Sequence, residues 1–220
     1  MHVRSLSVLL ATLLAGCGGV ASTVPASDEA TSRVDDRLLG FWRVDTTATP
    51  DAKDEGILVV GRHKGSDTTL DLVTVSLNHD HRIEVDRGEF LATTIEKQEY
   101  ASLRVPGNGP PDDKDAGMGD ETGAKQSEKA TAAWFVLRYT MPDGDTLRVL
   151  GMSEKTVAAD VRAGKVPGRV DESKGILGGE PTLNVTLEAT TTALRAYLES
   201  RGEAVFKADK PLVLRRLSVR

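Results

Sequence analysis

Few residues in this chain have types and spacing suited to chemistry. His79-Asp80-His81 is the only histidine cluster, and His63 is the only other histidine after the amino-terminal segment. Two imidazoles at i and i+2 on a strand point the same way and could begin a metal site. A structural metal needs a third and a fourth ligand, and the same tripeptide also reads as a solvated hairpin turn. The acidic run from Asp112-Asp113-Lys114-Asp115 to Asp120-Glu121 departs from the calcium-loop pattern. Counted from Asp113, glycine falls at the fifth place rather than the sixth, and Ala124 stands where the closing glutamate belongs. There is no Gly-x-Ser-x-Gly elbow, no His-Glu-x-x-His, no phosphate-cradling glycine loop and no dinucleotide fingerprint. No catalytic residue is assigned, and neither a metal nor a cofactor is expected. Scattered Ser, His and Asp residues can still meet in space, so an enzyme stays open, with the balance against it.

Cys17 is the only cysteine, which excludes an internal disulfide and a redox pair. It closes Leu14-Ala15-Gly16-Cys17, behind an apolar stretch containing Leu6, Val8, Leu9, Leu10 and Leu13 and a basic start at Arg4 with His2. These are the three parts of an export signal. The apolar run is about ten residues, against the roughly 20 that span a bilayer. Removal is therefore expected rather than retention as an anchor.

Positions 1 to 17 resemble the lipobox signal of bacterial lipoproteins. The resemblance implies that residues 1 to 16 are cleaved, that the Cys17 thiol receives a diacylglycerol and that the new amine is acylated. Each buried methylene contributes about 0.8 kcal/mol, so two or more acyl chains give stable attachment. Gly18 follows the cysteine, where lipoproteins retained in the inner membrane carry Asp. The chain thus resembles the outer-membrane class, with its body facing the periplasm. An ordinary secreted protein with a stray cysteine is the alternative. In a bacterial envelope the glycosylation-like Asn184-Val185-Thr186 is accidental.

The formal charge of −5 becomes −6 when Arg4 leaves with the signal. No Lys/Arg block offsets this, so nucleic acid and anionic lipid surfaces are not general partners. Aromatics are 4% of residues, so aliphatics must build the core. Residues 17 to 36 lack apolar periodicity and read as a lipidated flexible tether, with an end-to-end distance of roughly 25 Å. Residues 37 to 220 read as one β-rich domain, interrupted at 106 to 130 by a polar, Pro/Gly-rich mobile loop.

Strand patterns recur through the domain. In Thr69 to Leu77, Leu70 and Leu72 share one phase while Val73, Val75 and Leu77 share the other, which suggests a bulge or two buried faces. Asp86-Arg87-Gly88 reads as a turn, and Pro142-Asp143-Gly144-Asp145 as the clearest hairpin. Ser153 caps a helix from Glu154 to Ala163, and Thr190 or Thr191 caps one through Ser200. Gly164 to Gly179 reads as irregular. Nine or ten strands with two late helices predict a mainly β fold: an antiparallel β-barrel or a sandwich, both of which manage exposed edges.

Gly40-x-Trp42 on the first strand of this domain, with Arg215 and Arg216 on the last, is similar to the lipocalin and calycin barrels. That resemblance implies a tryptophan at the barrel base with an arginine packed across it, worth about 0.5 to 2 kcal/mol. Arg215 shares its strand face with Val213, Leu217 and Val219 and is the better placed of the two if that face points inward. Trp42 as a plain core aromatic is the alternative. The Leu38-x-Gly40-x-Trp42 start also resembles uncharacterised bacterial lipoproteins, which imply a fold and an address but no activity.

Two functions are therefore expected. One is a lipid-anchored envelope protein with a structural or interaction role and an envelope protein partner. The other is a lipocalin-like module holding an apolar ligand or lipid, which requires a cavity of several hundred Å³.

Overall fold

The computed structural model describes residues 19–49, 56–77, 82–104, 133–173 and 182–218. The signal segment, Cys17, Gly18, His79-Asp80-His81 and the loop 106 to 130 lie outside the described residues. The strands are β1 (Gly19–Ser22), β2 (Gly40–Val44), β3 (Ile57–Arg62), β4 (Thr69–Leu77), β5 (Ile83–Ile95), β6 (Gln98–Arg104), β7 (Trp134–Asp143), β8 (Thr146–Gly151), β9 (Gly168–Ser173), β10 (Thr182–Leu187) and β11 (Leu212–Arg216). Two helices, α1 (Glu154–Arg162) and α2 (Thr191–Arg201), fall late in the chain.

Eight strands close into an antiparallel barrel in the order β2-β3-β4-β5-β6-β7-β8-β11, with β11 returning to β2. Alternation builds it. In β4, Leu70, Leu72, Thr74 and Ser76 point inward and are buried, while the residues between them are half-exposed or exposed. Trp42, Leu58, Leu72, Phe90, Leu103 and Leu214 belong to the resulting interior core. An eight-stranded barrel is just wide enough for side chains to fill, or to hold one small ligand.

A second layer covers one side of the barrel. β1 pairs in parallel with β10, which pairs with β9, and this small sheet meets β7 at Ser22 opposite Trp134. Ser153 and Thr190 cap α1 and α2 by accepting from the Thr156 and Ala193 amides, and Gly202 ends α2. Ile95, Tyr100 and Val136, on the outside of β5, β6 and β7, bury against Val157 of α1, Leu194 and Leu198 of α2 and Val185 of β10.

Four expectations need correction. Residues 19 to 36 are not a free tether: Gly19–Ser22 forms β1, Ala26 and Ser27 are fully buried, and the Ala26 amide donates to Ser102 Oγ at 2.8 Å. Short side chains that lack periodicity can still lie flat against a sheet, because small residues let the backbone approach closely. Asp86-Arg87-Gly88 is not a turn but the middle of the 13-residue strand β5. A Cβ on Gly88 would stand 3.0 Å from the Arg104 carbonyl oxygen, so this glycine marks a close crossing of strands. β4 pairs without interruption with β3 and β5, so it has no bulge, and its second apolar phase, Val73, Val75 and Leu77, is half-exposed or exposed rather than a second buried face. Finally, the stretch after Gly164 contains β9, whose outward face is largely polar and gave little apolar signal.

Candidate functional site: the barrel interior and its closed end

The barrel is shut at one end by a plug that the chain makes just before β2. Asp35 caps a short 3₁₀ turn, Asp36–Leu38, and Leu38 projects into the barrel. The Trp42 indole is fully buried and donates from Nε1 to the Leu38 carbonyl at 2.8 Å. Arg216 lies across the Trp42 ring with its guanidinium carbon 4.2 Å from the ring centroid. Its Nε donates to the Gly144 carbonyl at 3.0 Å, Nη1 to Leu39 at 2.6 Å and Nη2 to Arg37. One side chain thus ties together the plug, the first barrel strand and the β7–β8 turn.

Gly40 fits this arrangement. Its φ of +125° is a conformation that side chains oppose, and a Cβ there would meet Arg216 Nη1 at 2.9 Å. Of the two candidate arginines, Arg216 performs the packing and Arg215 does not. Arg215 points outward, where Nε donates to Asp45 at 3.0 Å and Nη1 to Thr146 Oγ1 at 2.6 Å. The inward face of β11 carries Leu212 and Leu214, and Arg216 continues that phase. Choosing Arg215 placed the strand in the wrong phase.

Tyr139 was not anticipated. Its hydroxyl reaches the plug and donates to Asp35 Oδ2 at 2.9 Å, while Arg37 Nε donates to Oδ1 at 2.9 Å. Burial pushes Asp35 up, but hydrogen bonds from Arg37 and Tyr139 outweigh it and hold the carboxyl below its ordinary range. Burial and then the Asp35 charge raise the Tyr139 phenol. The Asp35-x-Arg37 spacing was the available signal. Two other networks have the same structural character. Buried Asp160 of α1 accepts from Tyr197 Oη at 2.9 Å, Arg201 Nε at 2.8 Å and Lys165 Nζ at 3.0 Å. At the surface, Asp71 sits 2.7 Å from His63 Nδ1, and that hydrogen bond raises the imidazole above its ordinary value. The neighbouring Ser66 hydroxyl donates to Thr69 Oγ1 at 3.0 Å.

Inside the barrel a cavity of about 80 Å³ remains, walled by residues such as Leu58, Leu72, Phe90, Leu103, Leu137 and Leu147. No charged residue contributes to its wall. Outside, a groove of about 750 Å³ runs between β2, β3 and β11, lined by Arg43, Asp45, Thr47, Ile57 and Arg215 among others. A hydrogen bond from Thr47, then one from Arg215, holds Asp45 at about 2, far too acidic to act as a base near neutrality. Among the described residues, no group of three or more His, Cys, Asp or Glu side chains is placed to hold a metal ion. No described helix is long and apolar enough to cross a membrane. No known protein family, curated protein or solved structure matches this chain.

Proposed function

We propose that this chain is a lipid-anchored envelope protein, attached through Cys17 on the periplasmic side of the outer membrane, whose barrel works by contact with other macromolecules. The reading joins the lipobox to one structural observation: the calyx is nearly full. Its cavity of about 80 Å³ falls well below the roughly 300 Å³ at which small-molecule sites begin. Side chains, with Leu38 as a stopper, occupy the space where a carried lipid would sit.

The address is tested by labelling cells with radioactive palmitate. Incorporation that vanishes in Cys17→Ser, with the variant moving out of the membrane fraction, is the expected outcome. Unchanged fractionation would overturn the anchor. The apolar wall favours a second reading, carriage of a small apolar group, and native mass spectrometry of detergent-free protein separates the two. The expected mass is that of the acylated chain alone, whereas a stoichiometric extra apolar molecule would establish carriage.

A further inference from the structure

The outer groove between β2, β3 and β11 holds a charge arrangement that folding alone does not call for. Arg43 of β2 stands directly opposite Arg215 of β11 in the antiparallel ladder. Both take the outward phase of their strands, and both line the groove. Like charges directly opposite on neighbouring strands are destabilising. Only one of the two is compensated. Arg215 donates from Nε to Asp45 Oδ2 at 3.0 Å and from Nη1 to Thr146 Oγ1 at 2.6 Å. The other oxygen of Asp45, Oδ1, accepts from Thr47 Oγ1 at 2.5 Å, so this carboxylate is fully engaged. The Arg43 side chain has no ion pair or hydrogen bond among the described residues. Two arginines and one aspartate are the charged residues of the groove wall, which leaves one net positive charge there on a chain of formal charge −5.

We infer that this groove is a binding site for a small amphipathic carboxylate, held by the Arg43 guanidinium with its apolar body along Ile57 and Leu217. The planar guanidinium takes a carboxylate through two parallel hydrogen bonds, and Arg43 has all its donors to give. Size and lining agree. The groove measures about 750 Å³, inside the range of roughly 300 to 1,000 Å³ for small-molecule sites. Ile57 pairs with Arg43 from the β3 side, and the Leu217 amide donates to the Phe41 carbonyl from the other side, so an apolar residue flanks β2 on each edge. The single net positive charge suits a monoanion. A phosphate dianion would bring a second negative charge beside Asp45, whose carboxylate is already ionised.

The site lies outside the filled barrel interior, so it makes no demand on the cavity there. Arg43 and Arg215 are both exposed, so the ligand exchanges with solution and is left behind on purification. Neither the anchor nor the contact role is needed for this binding, because palmitate incorporation and carboxylate affinity are read separately.

The test is isothermal titration calorimetry of the purified full-length protein in a neutral detergent, against a blank of the same detergent. The probes are sodium hexanoate, hexanol, hexylammonium and hexyl phosphate. Hexanoate is expected to bind at one site, and the other three at least tenfold more weakly. Arg43→Gln is expected to weaken hexanoate at least tenfold while leaving the melting temperature unchanged or higher, because it also removes the like-charge pair. Arg43→Lys is expected to recover only part of the affinity, since an ammonium lacks the fork. Affinity is expected to rise from butyrate to hexanoate, and Ile57→Ser to erase that rise. Absence of hexanoate binding overturns the inference, as does binding indifferent to Arg43→Gln. Hexanol binding as tightly as hexanoate would reduce the groove to an apolar patch, and tighter hexyl phosphate would overturn the assignment to a carboxylate.

Discussion

Arg216 is the residue on which the closed end depends. It combines an aromatic contact with hydrogen bonds to three carbonyl groups, two in the plug and one in the β7–β8 turn. Charge-assisted hydrogen bonds contribute about 1.5 to 3 kcal/mol each in isolation, and they share one side chain here. Arg216→Ala is therefore expected to lower stability by about 2 to 4 kcal/mol in urea titrations, with Arg216→Lys recovering only part, because an ammonium cannot reproduce the planar fork. Arg215→Ala, which removes a half-exposed pair with Asp45, is expected to cost less than about 1 kcal/mol. Equal losses would show that the ring contact and the carbonyl ties contribute nothing special. Gly40 and Trp42 were legible in the sequence because their types are restricted by conformation and size. The choice between Arg215 and Arg216 was not, because one residue of phase moves a strand side chain from interior to solvent, and Leu217 beyond the strand end misled the alternation.

Elements were most legible where turn or cap chemistry is local. The Asp143–Gly144 hairpin and both helices follow from residues within one turn of their ends, whereas β1 leans on β10 far away in the chain, and β1 and β9 both carry few large apolar residues. The β5–β6 hairpin contains a local conflict: Glu96 and Lys97 adopt φ of 48° and 65°, the left-handed region that favours Asn and Gly. Replacing the pair with Asn-Gly is expected to raise stability by about 1 kcal/mol in a urea melt. A loss would mean that these side chains support the turn. The α1–α2 junction carries a pH dependence. Burial pushes the Asp160 carboxyl up, but hydrogen bonds from Lys165, Tyr197 and Arg201 prevail and hold it below its ordinary 3.8. A depressed carboxyl stabilises the fold above its unfolded value and loses that contribution as pH falls through the folded value. Stability is thus expected to decline below about pH 4, and Asp160→Asn should flatten that decline while costing about 2 kcal/mol at neutral pH. Acid titration of the two proteins by circular dichroism checks both, and parallel curves would remove Asp160 from the account.

At the scale of the whole molecule, the barrel class was readable from the count of alternating strands, but the covering layer was not, since it is assembled from the two ends of the chain. Residues 19 to 36 belong to the fold, with Val20 and Ala26 in its second core. A chain starting at residue 37 is therefore expected to be on the order of 3 kcal/mol less stable than one starting at residue 18, from lost apolar burial and strand hydrogen bonds. Coincident denaturation curves would restore the tether. The same architecture sets an order of assembly. Gly19 aligns with Asn184 in the β1–β10 ladder, and Trp42 with Arg216 where the barrel closes. Contacts this distant in sequence exact their loop-closure entropy before they return anything. Synthesis delivers the amino terminus first, so a segment that emerges early is among the last to find its place. Any helper that shields nascent chains would have to protect it until nearly all the remaining residues had arrived.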